Sequence, residues 1–167
     1  SNAITLLKND NFRIPLKKNL KNKIAYIKFG DGDNSAFLTA LREQTTVEVL
    51  EDSNLESVLR KLKKFDMVII GYHQSNSRKT FPIPTKNVLW IEKIAEDNTV
   101  ILNVFSSLYC VVNLSFKDLE TVVMAYENSE ISQKITAQII FGEKKALGIL
   151  PASINSEFLV NYGMVNN

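Results

Sequence analysis

The chain of 167 residues holds one cysteine and one histidine, which leaves no pair of cysteines for an internal disulfide and no His/Cys set with metal-ligand spacing. Cys110, inside the apolar stretch Leu108 to Leu114, reads as a small buried hydrophobe. A Cys–His nucleophile pair would need a third, orienting group, and none is apparent. Long apolar runs are missing as well: Met67 to Gly71 is among the longest, far too short to span a bilayer. There is no excess of one charge, since 20 Lys and Arg against 18 Asp and Glu leave +2. The basic residues are mostly scattered, so nucleic-acid binding gains no support. The cluster Lys17, Lys18, Lys21 and Lys23 reads as a solvated surface loop.

What is there fits an ordinary globular domain. Hydrophobic content of 45% with 23% charged residues argues against disorder, and the length suits one domain with its own core. Ser1-Asn2-Ala3 looks like the scar of a removed expression tag, so residues 4–167 are expected to form a single α/β domain, a fragment of a larger multidomain protein.

Along the chain, Ile24 to Phe29 is a β-rich run closed by the turn signal Gly30-Asp31-Gly32-Asp33. Phe37, Leu38 and Leu41 then fall at helical spacing, and Thr46 to Leu50 reads as a second strand. Ser53 and Glu56 suggest a capping box ahead of Leu55, Val58, Leu59 and Leu62. Met67 to Gly71 is apolar throughout, as expected of a central strand covered on both faces. A loop from Tyr72 to Thr85 contains Phe81-Pro82-Ile83-Pro84, which excludes a helix interior there. Trp90, Ile91, Ile94 and Ala95 mark a helix, Thr99 to Phe105 a strand, Ser106 to Phe116 a short helix, and Glu120 to Ala125 a further strand. A last helix after Asn128 or Ser129 stacks Ile131, Ile135 and Ile139 and stops before Gly142. This alternation predicts a flavodoxin-like, doubly wound, mainly parallel sheet of five to six strands with helices on both faces.

Ligands of such sheets lie beyond the carboxyl ends of the strands. Gly30-Asp31-Gly32-Asp33-Asn34 lacks the third glycine of a dinucleotide loop, and its two aspartates would repel a pyrophosphate. A phospho-receiver would need an Asp at the end of a central strand and a Lys after the fifth. Asp66 instead precedes its strand, and Tyr126-Glu127 follows the last. The polar segment Gly71 to Lys79 holds the only histidine and offers His73, Gln74, Ser75, Asn76 and Arg78 as candidate substrate-binding residues, well equipped to hydrogen-bond sugar hydroxyls or an N-acetyl group. The plainer alternative is a solvated connection. Ser75 or Ser77 with His73 would make a small serine hydrolase, but no G-x-S-x-G elbow exists. Asp31, Asp33, Asp52 and Glu127 fall on different loop ends, and no catalytic pair stands out among them. No catalytic residue, metal or cofactor is assigned to the chain.

Three separated segments carry a resemblance. Ile4-Thr5-Leu6-Leu7-Lys8-Asn9 with Ile14-Pro15-Leu16, then Lys23 to Phe29, then Val123-Met124-Ala125-Tyr126-Glu127-Asn128-Ser129 with Ala137 to Gly142 and Gly148 to Ile154, resemble in order the second domain of family 3 glycoside hydrolases, in the β-N-acetylhexosaminidase branch. The resemblance implies a bacterial parent, periplasmic or cell-surface, whose N-terminal (β/α)₈ barrel supplies an aspartate nucleophile and a His–Asp acid/base pair. It implies retaining hydrolysis of a terminal β-linked N-acetylhexosamine, with this domain as an accessory partner that itself lacks activity. In the β-glucosidase branch this second domain supplies an acid/base glutamate, and no matching glutamate is placed here. Some parents in the branch carry a β-lactamase-like domain afterwards, towards which Phe158 to Gly163 would be a linker. A stand-alone flavodoxin-like ligand-sensing module is the remaining alternative, distinguished by the length of the parent gene.

Overall fold

The computed structural model describes residues 4–18, 21–75, 81–148 and 163–164. Residues 1–3, read above as a tag scar, Asn76, Ser77, Arg78 and Lys79, the stretch Ile149 to Ile154, and residues Phe158 to Tyr162 of the suggested linker lie outside the described residues.

The elements are β1 (Thr5–Asn9), β2 (Ile24–Phe29), α1 (Ser35–Gln44), β3 (Val47–Val49), α2 (Leu55–Leu62), β4 (Met67–His73), α3 (Thr85–Asp97), β5 (Val100–Phe105), β6 (Thr121–Met124) and α4 (Glu130–Ile140). The six strands form one sheet in the order β1-β6-β5-β4-β2-β3. All pairings are parallel except β1 with β6. The chain steps outward from β2 to β3, returns to β4 on β2's other side, and continues through β5 to β6. The winding therefore reverses between β2 and β4, which is where a doubly wound sheet opens a crevice at its carboxyl edge.

Side chains alternate across the sheet and fill two cores. Ala25, Ile27, Val68, Ile70, Leu102 and Val104 pack against Val58 and Leu62 of α2 and Ile91 and Ile94 of α3. Ile24, Tyr26, Ile69, Ile101 and Phe105 pack on the other face against Phe37 and Leu41 of α1 and Ala137 and Ile140 of α4. Every residue of β4 is buried, in keeping with its central place between β2 and β5.

Several boundaries differ from the sequence expectation. β1 is a strand that the sequence reading passed over; it closes the β6 edge, and beyond it Leu6 bridges Met164. The α2 cap is Asn54 rather than Ser53: its side chain accepts from the Ser57 backbone N–H at 2.9 Å. α4 starts with a capping box between Ser129 and Ser132. Its buried face runs through Gln133, Thr136, Ala137 and Ile140, while Ile131 is 72% exposed. Of the other two residues that apolar spacing placed on this face, Ile139 is fully buried and Ile135 packs partly buried against the same core; polar Gln133 and Thr136 are turned inward beside them. Between β5 and β6 only a short 3₁₀ turn forms, at Leu108–Val111. Gly142 closes α4 with φ 78°, the left-handed conformation that glycine adopts without strain.

Candidate functional site

β4 continues two residues beyond the expected Gly71 and ends in His73, so the histidine is a strand residue and not part of a loop. The β period places its ring on the α1/α4 side, fully buried and stacked on Phe105 at 4.3 Å between centroids with the planes 12° apart. Nδ1 lies 2.8 Å from Asn128 Oδ1, and Nε2 lies 3.2 Å from the Tyr26 hydroxyl.

The surrounding bonds decide the tautomer. Asn128 donates through Nδ2 to the Asp33 carbonyl at 3.0 Å, and its Oδ1 also accepts from Gln133 Nε2 at 2.8 Å. That oxygen can only accept, so His73 Nδ1 carries the proton and Nε2 accepts from Tyr26. The Tyr26 oxygen accepts in turn from Asn34 Nδ2 at 2.8 Å. Burial pushes the imidazole pKa down to about 4 and raises that of the Tyr26 phenol, so both are neutral near pH 7. Gly71 makes room for this pair: a Cβ there would stand 2.5 Å from His73 Nε2 and 2.8 Å from the Tyr26 hydroxyl.

The crevice between β2 and β4 is filled by the protein's own loops. The Gly32 N–H donates to the His73 carbonyl at 2.8 Å, and Gly30, at φ 91°, presses so closely on that carbonyl that no Cβ could fit. Above them Asp31 accepts from the Ser75 backbone N–H at 2.9 Å and from its hydroxyl at 2.8 Å. Asp33 accepts from the backbone and hydroxyl of Ser35 at the start of α1. These donors hold both carboxyl groups below the usual carboxylate range. Asp52 is lowered too, by bonds from the Ser57 side chain, the Asn54 backbone and Lys61.

Of the residues expected to meet substrate, His73 lies beneath the surface and Gln74 accepts from the Ser106 hydroxyl. Ser75 is exposed at the rim, and Asn76 and Arg78 lie outside the described residues. The serine-hydrolase alternative does not match this geometry: Ser75 Oγ bonds Asp31, and both ring nitrogens of His73 are taken by Tyr26 and Asn128. Cys110 is buried in the α2/α3 core with its thiol pKa pushed up to about 12. Among the described residues, no group of three or more His, Cys, Asp or Glu could hold a metal ion. Sequence reasoning did not single out Tyr26 or Gln133, which belong to strand and helix patterns; Asn34 stood only at the end of the Gly30 to Asn34 loop, and Asn128 only within the family-like Tyr126-Glu127-Asn128 segment.

The chain is thus a doubly wound, mainly parallel α/β domain whose carboxyl-edge crevice between β2 and β4 is closed by its own loops. Residues 4–161 match the glycosyl hydrolase family 3 C-terminal domain, and the chain belongs to that family. No curated protein sequence matches it. Among solved structures, a family 3 β-N-acetylglucosaminidase from Paenibacillus sp. str. FPU-7 shares 16% identity with a TM-score of 0.65, over 91% of this chain and 30% of that one. A fungal multi-domain GH3 β-N-acetylglucosaminidase shares 16% identity with a TM-score of 0.68, over 87% and 17%. The β-glucosidase from Listeria innocua shares 18% identity with a TM-score of 0.62, over 87% and 25%. The chain thus spans less than a third of each of these three proteins.

Proposed function

We propose that this chain is the accessory second domain of a retaining β-N-acetylhexosaminidase, set with its carboxyl edge against a (β/α)₈ barrel carried elsewhere in the parent. The observation that carries this reading is the tied edge. Loops 30–34, 74–75 and 126–129 are joined by the His73 network and the Asp31–Ser75 clasp into one surface, suited to backing an active site it does not itself contain. Retaining hydrolysis needs a carboxylate nucleophile and an acid/base partner, the latter a carboxyl group of raised pKa or an equivalent such as a His–Asp pair. Asp31, Asp33 and Asp52 are shifted the opposite way. In this reading the nucleophile and its acid/base partner belong to the barrel.

In this scheme Gln74, Ser75, Asn76 and Arg78 meet the sugar or its N-acetyl group, and His73 holds their loop from beneath as a positioning residue. The small share of the neighbouring structures that this fold spans supports a partner domain, and two β-N-acetylglucosaminidases among them support the hexosaminidase branch.

The test is turnover by the full-length parent on aryl β-N-acetylglucosaminide and aryl β-glucoside, with the 167-residue chain assayed beside it. The parent is expected to prefer the N-acetylated substrate, Ser75→Ala and Arg78→Ala to raise KM, and the isolated chain to stay at background. Preference for the glucoside would overturn the branch. Activity of the isolated chain that Asp31→Asn abolishes would overturn the accessory role.

A further inference from the structure

Away from the His73 network, a cavity of about 270 Å³ opens at the carboxyl end of β2, between the starts of α2 and α3. That is near the lower end of the roughly 300 to 1,000 Å³ typical of small-molecule sites. One wall is Trp90, the only tryptophan in the chain, half-buried and set edge-to-face with Phe29 at 6.2 Å between centroids. Ile27, Leu50 and Val58 add apolar surface beneath it.

The rim decides what such a pocket can take. Lys28 and Lys86 face Glu51 and Asp52, two cations against two anions, so the cavity has no net pull on a phosphate or an ammonium group. Lys28 donates to the Gly30 carbonyl at 2.6 Å, and Asp52 is paired with Lys61 at 3.1 Å. Lys86 and Asn87, on the first turn of α3, remain beside the ring, with the Lys86 ammonium 5.9 Å from its centroid. An exposed cation–π contact of this kind is weak and can yield to a ligand. A flat apolar wall rimmed by amide and ammonium donors matches a neutral ring with one C–H face and several hydroxyls.

We propose that this cavity binds a neutral pyranose, stacked on Trp90 and hydrogen-bonded by Asn87 and Lys86, at a site separate from the Asp31–Ser75 edge. The choice of a sugar over another neutral polyol rests on the glycosidase reading; the charge balance and the aromatic wall do not.

Because Trp90 is the lone tryptophan, its emission reports on this cavity alone. The 167-residue chain is titrated with N-acetylglucosamine and with glucose, and separately with glycerol and inorganic phosphate. A saturable change is expected for at least one of the sugars, with a midpoint on the order of millimolar, as suits a small ligand with few contacts. Lys86→Ala and Asn87→Ala, neither in the core, should each raise that midpoint about fivefold, the effect of one lost hydrogen bond. Trp90→Ala, followed by the backbone amide shift of residue 87, should abolish binding; if that variant does not fold, the two α3 variants carry the test. Flat emission to about 100 mM sugar, far above that midpoint, would overturn the proposal. So would midpoints unmoved in both α3 variants, or a response to glycerol or phosphate matching that to the sugars. Binding here is read on this chain and turnover on the parent, so failure of one is told apart from failure of the other.

Discussion

Asp31 holds Ser75 by two bonds at once, accepting from its backbone N–H at 2.9 Å and its hydroxyl at 2.8 Å, across the point where the sheet reverses its winding. The crevice that such sheets commonly offer to a ligand is thereby spanned by the chain itself.

Asp31→Ala should free the start of the loop after β4 without unfolding the sheet. The Ser75 amide should exchange with solvent markedly faster in that variant, while amides of residues 67 to 71 in β4 keep their protection. Ser75→Ala keeps the backbone bond and should show a smaller effect. Because the folded Asp31 carboxyl titrates below its ordinary value, the clasp is fully present above the usual carboxylate pKa and weakens as pH falls through the folded one. Unchanged Ser75 exchange in Asp31→Ala would show that the clasp does not hold the loop.

His73 should make stability fall with acid before the carboxylates do. Its folded pKa of about 4 lies below the ordinary value near 6.5, so the unfolded chain takes up the proton first. Stability is fully present above about pH 6.5 and is lost progressively down to about pH 4, by at most roughly 3 kcal/mol. Urea midpoints measured from pH 4 to 7 read this directly. His73→Gln should be less stable at pH 7, because the Tyr26 and Asn128 partners lose their geometry, and should also flatten the slope between pH 4.5 and 6.5. A slope of the same size in both proteins would assign it to other groups.

Gly71→Ala tests how tightly the network is packed. The added methyl would fall 2.5 Å from His73 Nε2 and 2.8 Å from the Tyr26 hydroxyl, and neither side chain has room to retreat, since both are fully buried. A loss of about 1–3 kcal/mol is expected, as for overpacking of a core. The His73 ring protons should shift in the NMR spectrum. A variant as stable as the parent would mean that the Tyr26–His73 contact is loose.

Much of the fold was legible because it rests on local period. The apolar runs at Ile24 to Phe29 and Met67 to Gly71, the heptad-like Leu55, Val58, Leu59 and Leu62, and Gly142 at the end of α4 each announce their element without knowledge of the rest. The polar loop after β4 was visible as polar, and the resemblance to family 3 rested on segments whose residues could be quoted. β1 was missed as a strand because five residues at the edge of a sheet have no pattern of their own until β6 pairs with them. Apolar spacing in α4 marks Ile135 and Ile139, which do pack inward, but not Gln133, which is buried because it bonds the Phe37 backbone N–H, the Asp33 carbonyl and Asn128.

By itself, then, the sequence determined the alternation of strands and helices, the absence of a metal-ligand set built from cysteine and histidine, and the central place of β4. The tertiary structure decided what His73 is. In sequence it stands among polar neighbours and reads as a ligand; in the sheet the two-residue period turns its ring inward between Phe105 and Tyr26, with Asn128 brought in from 55 residues away. Burial then favours the neutral ring, and two fixed partners consume both nitrogens. Whether a polar side chain meets solvent or a core depends on which helices cover that face of the sheet, and only the assembled chain supplies them.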